Sequence, residues 1–221
     1  MTPQLPPPRA AEVSRQTGET SVAVTLALDG QGAPDGIAVD SGVPFLDHLL
    51  TAAARHGRFG LRMRVRGDLC RGAHHTAEDA GLGLGEAVRV ALCGAGGGAV
   101  GDAAPGVARF GDATVPMDDA LVMAAVDLGG RPFFAAAGIA GREAAGGFEP
   151  ALFLELCRAL ATAGHLGLHL RVLAGDDTHH VLEAAAKSLG VALRRAWAPD
   201  PAACGAGGPV STKGPVRMQV R

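Results

Sequence analysis

The stretch HHTAEDAGLGLGEAVRVAL, residues 74–92, recurs 105 positions later as HHVLEAAAKSLGVALRRAW, residues 179–197. His74 and Glu78 return as His179 and Glu183, Leu84 and Gly85 as Leu189 and Gly190, and Arg89 as Arg194. One offset carried through both segments points to an internal duplication. On a helix, positions i and i+4 share a face, so His74 stands over Glu78 and His179 over Glu183. The neighbouring histidines, His75 and His180, are turned away by about 100°. Each helix start thus offers His and Glu in one direction and a second His in another, a pattern suited to two different metal ions. A single HHxxE is equally a polar helix start; a second copy in register weighs against that. Asp79 has Ala184 as its counterpart, so the acid that repeats is the glutamate.

The rest of the chain fits around these helices. TSVAVTLALDG places Val22, Val24, Leu26 and Leu28 on one face with period two, a strand pattern, and Asp29-Gly30 marks a turn. VPFLDHLLTAAARHG puts Pro44 at a first helical position and ends at Gly57. Leu61, Met63 and Val65 alternate as a strand before the helix that opens near His74. The second half reads similarly, with strands in ALVMAAVDL and RPFFAAAGIA, a helix in PALFLELCRALATAG, a strand in LGLHLRVLAG and a helix from about His179. The expected fold class is α+β, two β-β-α-β-α halves with helices packed on one face of each sheet. The boundaries read as a flexible proline-rich tail over 1–14, a first half over 15–93 and a glycine-rich connector over 94–106. A second half covers 107–198, with a C-terminal loop and tail over 199–221.

Composition excludes several classes. A net charge of −2 gives no reason to expect nucleic acid, and no apolar run approaches the ~20 residues of a membrane span. The tail lacks the apolar core of a signal peptide, and Cys70, Cys93, Cys157 and Cys204 form no Cys-x-x-Cys pair, which fits a reducing cytoplasm. Histidine and carboxylate ligands without cysteine suit manganese, iron or zinc. His48, with His56 two turns later, is a further ligand candidate, although a lone helical histidine is more often a hydrogen-bonded packing residue; His165 and His169 read as structural. Ser211, Thr212 and Lys213 could hold a phosphate but are by themselves ordinary loop chemistry; Arg109 and Arg131 could add guanidinium forks or be ordinary surface residues.

The segments RQTGET, SGVPFLDHLL, ARHGRFGL, HHTAEDAGLGLGEAV, RFGDATVPMDDAL, DLGGRPFF, LHLRVLAGDDTHHVLEAAAKSLGVALRRA and STKG run in order from about residue 15 to 214. By them the chain resembles the imidazoleglycerol-phosphate dehydratase family, the lyases of histidine biosynthesis that turn imidazole glycerol phosphate into imidazole acetol phosphate. The resemblance implies two divalent ions per site, usually manganese, which stabilise an imidazolate form of the substrate. It gives His74, Glu78 and His180 to one ion and His48, His75, His179 and Glu183 to the other. It makes Glu19 the acid–base residue, places His56 against the substrate, and gives the phosphate to Arg109, Arg131, Lys187, Ser211 and Lys213, with Thr212 in the same loop. It further implies a homo-oligomer of 24 subunits whose sites are shared between chains.

Several departures from the family pattern stand out, among them GDLCRGAHH, which lacks the acidic residues common just before the histidine pair, and a long connector. Glu155 occupies a position where many relatives carry a ligand histidine, and is a candidate ligand in its place. Asp119 stands where glutamate is common and Asp177 where asparagine is. An insertion lengthens the first hairpin around residues 33–37. Two other readings use part of the same set: a dimetal phosphoester hydrolase, and a metal-binding cage protein without catalysis. The first would release inorganic phosphate; the second would need neither Glu19 nor the Arg109, Arg131 and Lys213 cluster.

Overall fold

The structure, a computed structural model, describes residues 9–29, 36–94 and 106–200. The first half contains β1 (Ala10–Gln16), β2 (Thr20–Ala27), β3 (Ile37–Asp40), α1 (Pro44–Gly57), β4 (Gly60–Gly67) and α2 (His74–Cys93). The second contains β5 (Phe110–Met117), β6 (Ala120–Asp127), β7 (Phe133–Ala137), α3 (Pro150–Ala163), β8 (Gly167–Ala174) and α4 (Thr178–Ala196). Each half forms a four-stranded sheet, in the orders β1-β2-β4-β3 and β5-β6-β8-β7. In each, the last-named strand pairs in parallel and the others antiparallel.

The α+β class and the duplication hold, with one strand more in each half than the sequence suggested: β-β-β-α-β-α. The tail expected over residues 1–14 is corrected, because Ala10–Gln16 is a strand paired along its length with β2. Its sequence, AAEVSRQ, turns only Ala11 and Val13 inward as apolar groups, which leaves little alternation to read. The connector lies outside the described residues over 95–105, and the C-terminal segment over 201–221.

Alternation sets which face of each sheet is covered. Val22, Val24 and Leu26 of β2 and Leu61, Met63 and Val65 of β4 are buried under α1 and α2, while Arg62, Arg64 and Arg66 face out. In the second sheet Val122, Ala124 and Val126 face α4, and Leu168 and Leu170 lie on the same covered side. The four helices therefore form an inner layer between two sheets.

Helix pairing crosses the halves: α1 packs on α4, and α2 on α3. Both pairs run parallel, because residues near each helix start meet each other and so do residues further along. The duplicated Leu-Gly of the opening motif explains the close approach. A Cβ on Gly85 would stand 2.6 Å from the Leu160 carbonyl oxygen of α3, and one on Gly190 would collide with the Ala53 carbonyl of α1. Only glycine lets the two backbones meet there. At the far end of the α1–α4 pair, the buried rings of Phe59 and Trp197 meet edge to face at 5.3 Å.

At an open helix position, Gly→Ala would stabilise the chain by about 1 kcal/mol. At residue 190 the methyl has no space, and overpacking costs about 1–3 kcal/mol. Gly190→Ala is expected to lower the thermal midpoint by several degrees; a rise would contradict the packing described.

Candidate metal and catalytic site

Because the paired helices run parallel, their first turns lie side by side and bring ligand-type side chains together. Pro44 opens α1, and Asp47 accepts hydrogen bonds from the Ser41 N–H and hydroxyl at 2.8 and 2.5 Å, closing its first turn. One turn on, His48 Nε2 lies 3.1 Å from Glu183 Oε2 of α4. His179 Nε2 lies 3.3 Å from the same oxygen. The i,i+4 pair is thus joined by a histidine from the other half. The rings of Phe45, His48 and His179 pack against one another at this point.

The other helix pair repeats the arrangement. His74 and Glu78 of α2 meet Glu155 of α3, and the ligand atoms of each triad lie within 4.8 Å of one another. That spacing suits donors around one ion bound at about 2.0–2.2 Å. Glu155 is buried and ion-paired with Arg158, the arginine one turn on in α3. The duplication therefore exchanges His48 for Glu155: a neutral donor in one triad, an anionic one in the other.

Electrostatics favour the ionised form of Glu183. Burial works against its charge, but hydrogen bonds from Lys187 and His48 outweigh it and hold the carboxyl at about 2. Lys187 Nζ sits 2.8 Å from Glu183 Oε1, leaving Oε2 to the histidines. His56, exposed at the end of α1, is held below the ordinary imidazole range by partial burial and then by the Lys187 charge.

The second histidine of each pair belongs to neither triad; His75 stands in a third group of the same spacing, with Glu19 and Asp68. His75 Nδ1 faces Asp68 at 3.2 Å and Glu19 at 3.5 Å. His180 Nδ1 faces Asp119 at 2.7 Å, and its Nε2 lies 3.3 Å from Asp118. Hydrogen bonding to Asp68, then the Glu19 charge, raises His75; the bond to Asp119 raises His180 in the same way.

Glu19 occupies the β1–β2 turn and is half exposed. The Thr17 hydroxyl accepts the N–H groups of Glu19 and Thr20 at 3.2 and 3.0 Å, and the Thr20 hydroxyl donates to buried Asp79. Asp79 also pairs with Arg15 of β1 at 2.8 Å. Asp79 is therefore not a ligand of either triad; it ties the turn that carries Glu19 to α2.

Two candidate residues lie elsewhere. Arg109 is held by Asp127 at 2.8 Å, over the Phe110 ring, and Arg131 is exposed after β6. Asp119 precedes the start of β6 and Asp127 ends it, so both arginines stand at the opposite end of that strand from His180, roughly 25 Å away at ~3.3 Å per residue. One chain does not bring them to its own triads. Ser211, Thr212 and Lys213 lie outside the described residues.

Sequence reasoning missed Asp68 and the part played by Asp119. The signal for Asp119 was present: β2 starts at Thr20 and β6 at Ala120, so Asp119 is the duplicate of Glu19. The hairpins repeat at an offset of 100 rather than 105, which hides the match from a fixed-offset comparison.

The family model described as imidazoleglycerol-phosphate dehydratase matches residues 41–193. The protein of that name from Desulforudis audaxviator is 49% identical over 84% of this chain and 88% of its own length. That from Gluconobacter oxydans is 43% identical over 90% and 94%. Among solved structures, IGPD from Pyrococcus furiosus in complex with (S)-C348 superposes with a TM-score of 0.73 at 33% identity, covering 92% of this chain and all of that one. The Staphylococcus aureus enzyme gives 0.69 at 26% identity, with coverage of 86% and 99%.

Glu183 has a sign that can be checked. Its carboxyl is lowered from 4.5 to about 2, so its contribution to stability is present above pH 4.5 and lost as pH falls towards 2. Metal-free protein is expected to lose stability across that window, and Glu183→Gln to flatten that part of the curve. Equilibrium unfolding with equal slopes for both proteins would contradict the pairing with Lys187 and His48.

Proposed function

Because the chain belongs to the imidazoleglycerol-phosphate dehydratase family, we propose that its two triads are the metal sites of that dehydration. The protein is an enzyme of this family, a carbon–oxygen hydro-lyase of histidine biosynthesis. The observation that carries the metal reading is the convergence of His48, His179 and Glu183 from two halves of the chain on one point, mirrored by His74, Glu78 and Glu155. The donors are imidazole and carboxylate with no thiol, a set suited to a borderline divalent ion such as manganese. The hydrogen removed in this reaction lies on a carbon next to the imidazole ring and is not acidic. Two bound divalent ions would supply positive charge beside that ring and lower the cost of an electron-rich imidazolate.

The chain's own residues divide the remaining work. Glu19, half exposed on a turn anchored by Thr17 and Asp79, takes the carbon-bound proton and gives it to the leaving hydroxyl, which departs as water. Lys187 keeps Glu183 ionised, and its charge, with His56 close by, favours the phosphate end of the substrate. Arg109 and Arg131 serve a site on a neighbouring chain, since their own triads are beyond their reach. Ser211, Thr212 and Lys213 join them by sequence match. His75 and His180, outside the triads of their own chain, complete those of neighbours. Such sharing requires the homo-oligomer, in the 24-subunit form of the family. The exposed Phe110, Phe133 and Leu173 on the outer face of the second sheet support self-association. Among the described residues no helix is long and apolar enough to cross a membrane. Cys70, Cys93 and Cys157 are free thiols, in keeping with a cytoplasmic location.

With manganese and imidazole glycerol phosphate, the protein is expected to form the ketone without releasing inorganic phosphate, and a chelator to stop it. Free phosphate would favour a hydrolase on the same scaffold; metal binding with no product would favour a non-catalytic cage. Glu19→Gln is expected to lower turnover by about 100-fold or more at unchanged metal content. Full turnover in that variant would remove Glu19 from the reaction.

A further inference from the structure

The two halves have built the same hairpin turn in different ways. In the first, Thr20 and Asp79 tie the turn down, and Glu19 is left facing His75 at 3.5 Å. The duplicates of Thr20 and Asp79 are Ala120 and Ala184, which cannot make that tie. Asp119, the duplicate of Glu19, makes the connection itself. One carboxylate oxygen accepts the backbone N–H groups of Asp176 and Asp177 at 2.7 and 3.2 Å, and the other faces His180 Nδ1 at 2.7 Å. Arg142 donates to the carbonyls of Gly175 and Asp176 at 2.8 and 3.1 Å. Asp177 caps α4 by accepting the His180 N–H at 3.1 Å.

We propose that Asp119 is the positioning residue of His180, holding the proton on Nδ1 and leaving Nε2 as the atom offered to the metal. An ionised carboxylate only accepts, so the imidazole nitrogen facing it carries the hydrogen. A ligand histidine whose other nitrogen is held by a carboxylate is fixed in tautomer and orientation. The duplicated hairpin acid has thus split into two roles, with Glu19 free to move and Asp119 fixed by three hydrogen bonds. Asp118, two-thirds exposed, is the group now facing Nε2 and has solvent to move into. The inference rests on the proposed ligand role of His180.

The test is manganese binding to metal-free protein, followed by equilibrium dialysis. In Asp119→Asn the amide oxygen still accepts from Asp176 and Asp177, but the amide nitrogen donates towards His180 and drives its proton to Nε2. Manganese affinity is expected to fall about 10–100-fold while the metal-free fold and its melting stay unchanged. Asp119→Glu is expected to recover most of that loss. Asp119→Asn binding as tightly as the unsubstituted protein overturns the inference, as does Asp119→Glu binding no better than Asp119→Asn. If Asp119→Asn does not fold, Asp119→Glu decides alone: near-normal affinity supports the role and weakened affinity overturns it. His180→Ala separates the ligand role of His180 from the positioning role of Asp119. If it loses manganese while Asp119→Asn keeps it, the positioning role alone falls. If it keeps its full manganese, the ligand role of His180 falls and the inference with it.

Discussion

The close parallel contact of helices from opposite halves decides where the side chains of both triads fall. Gly85 and Gly190 let α2 meet α3 and α1 meet α4 backbone to backbone, and the starts of the paired helices then lie side by side. His48 reaches Glu183 and Glu155 reaches Glu78 only because of that registry. A wider or antiparallel pairing would leave two helices bearing half a site each. Duplication alone does not gather the triads; the exchange of helix partners between the copies does.

Within that frame the two copies have diverged in chemistry. The triad on α1 and α4 holds two imidazoles and one carboxylate, whereas that on α2 and α3 holds one imidazole and two carboxylates. The second set carries one more negative charge, and Arg158 pairs with the added glutamate. The hairpins differ as well. Thr20 and Asp79 free Glu19 from structural duty, while Ala120 and Ala184 leave that duty to Asp119. A duplicated scaffold supplies matched positions, and small substitutions beside them leave one hairpin carboxylate half exposed and fix the other by hydrogen bonds.

Much of this was legible in the sequence, for identifiable reasons. The His/Glu pairs follow from helical i,i+4 geometry, which needs no tertiary information. The covered sheet faces follow from the alternation of Val22, Val24 and Leu26 and of Leu61, Met63 and Val65. β1 and β5 were not legible, because AAEVSRQ and FGDATVPM offer few apolar residues in alternation. β3 is four residues long and too short to show a period. The meeting of Glu155 with His74 depends on a contact between halves, which spacing along the chain does not encode. The distance between Arg109 and the triads follows from strand direction and could be seen only once β6 was placed.

The paired helix starts are proposed to hold two metal ions through these residues. Anomalous diffraction from manganese-saturated crystals tests this most directly. One ion is expected at His48, His179 and Glu183 and a second at His74, Glu78 and Glu155, the latter weakened by Glu155→Ala. Active, manganese-saturated protein with no anomalous peak at either triad would contradict the proposal.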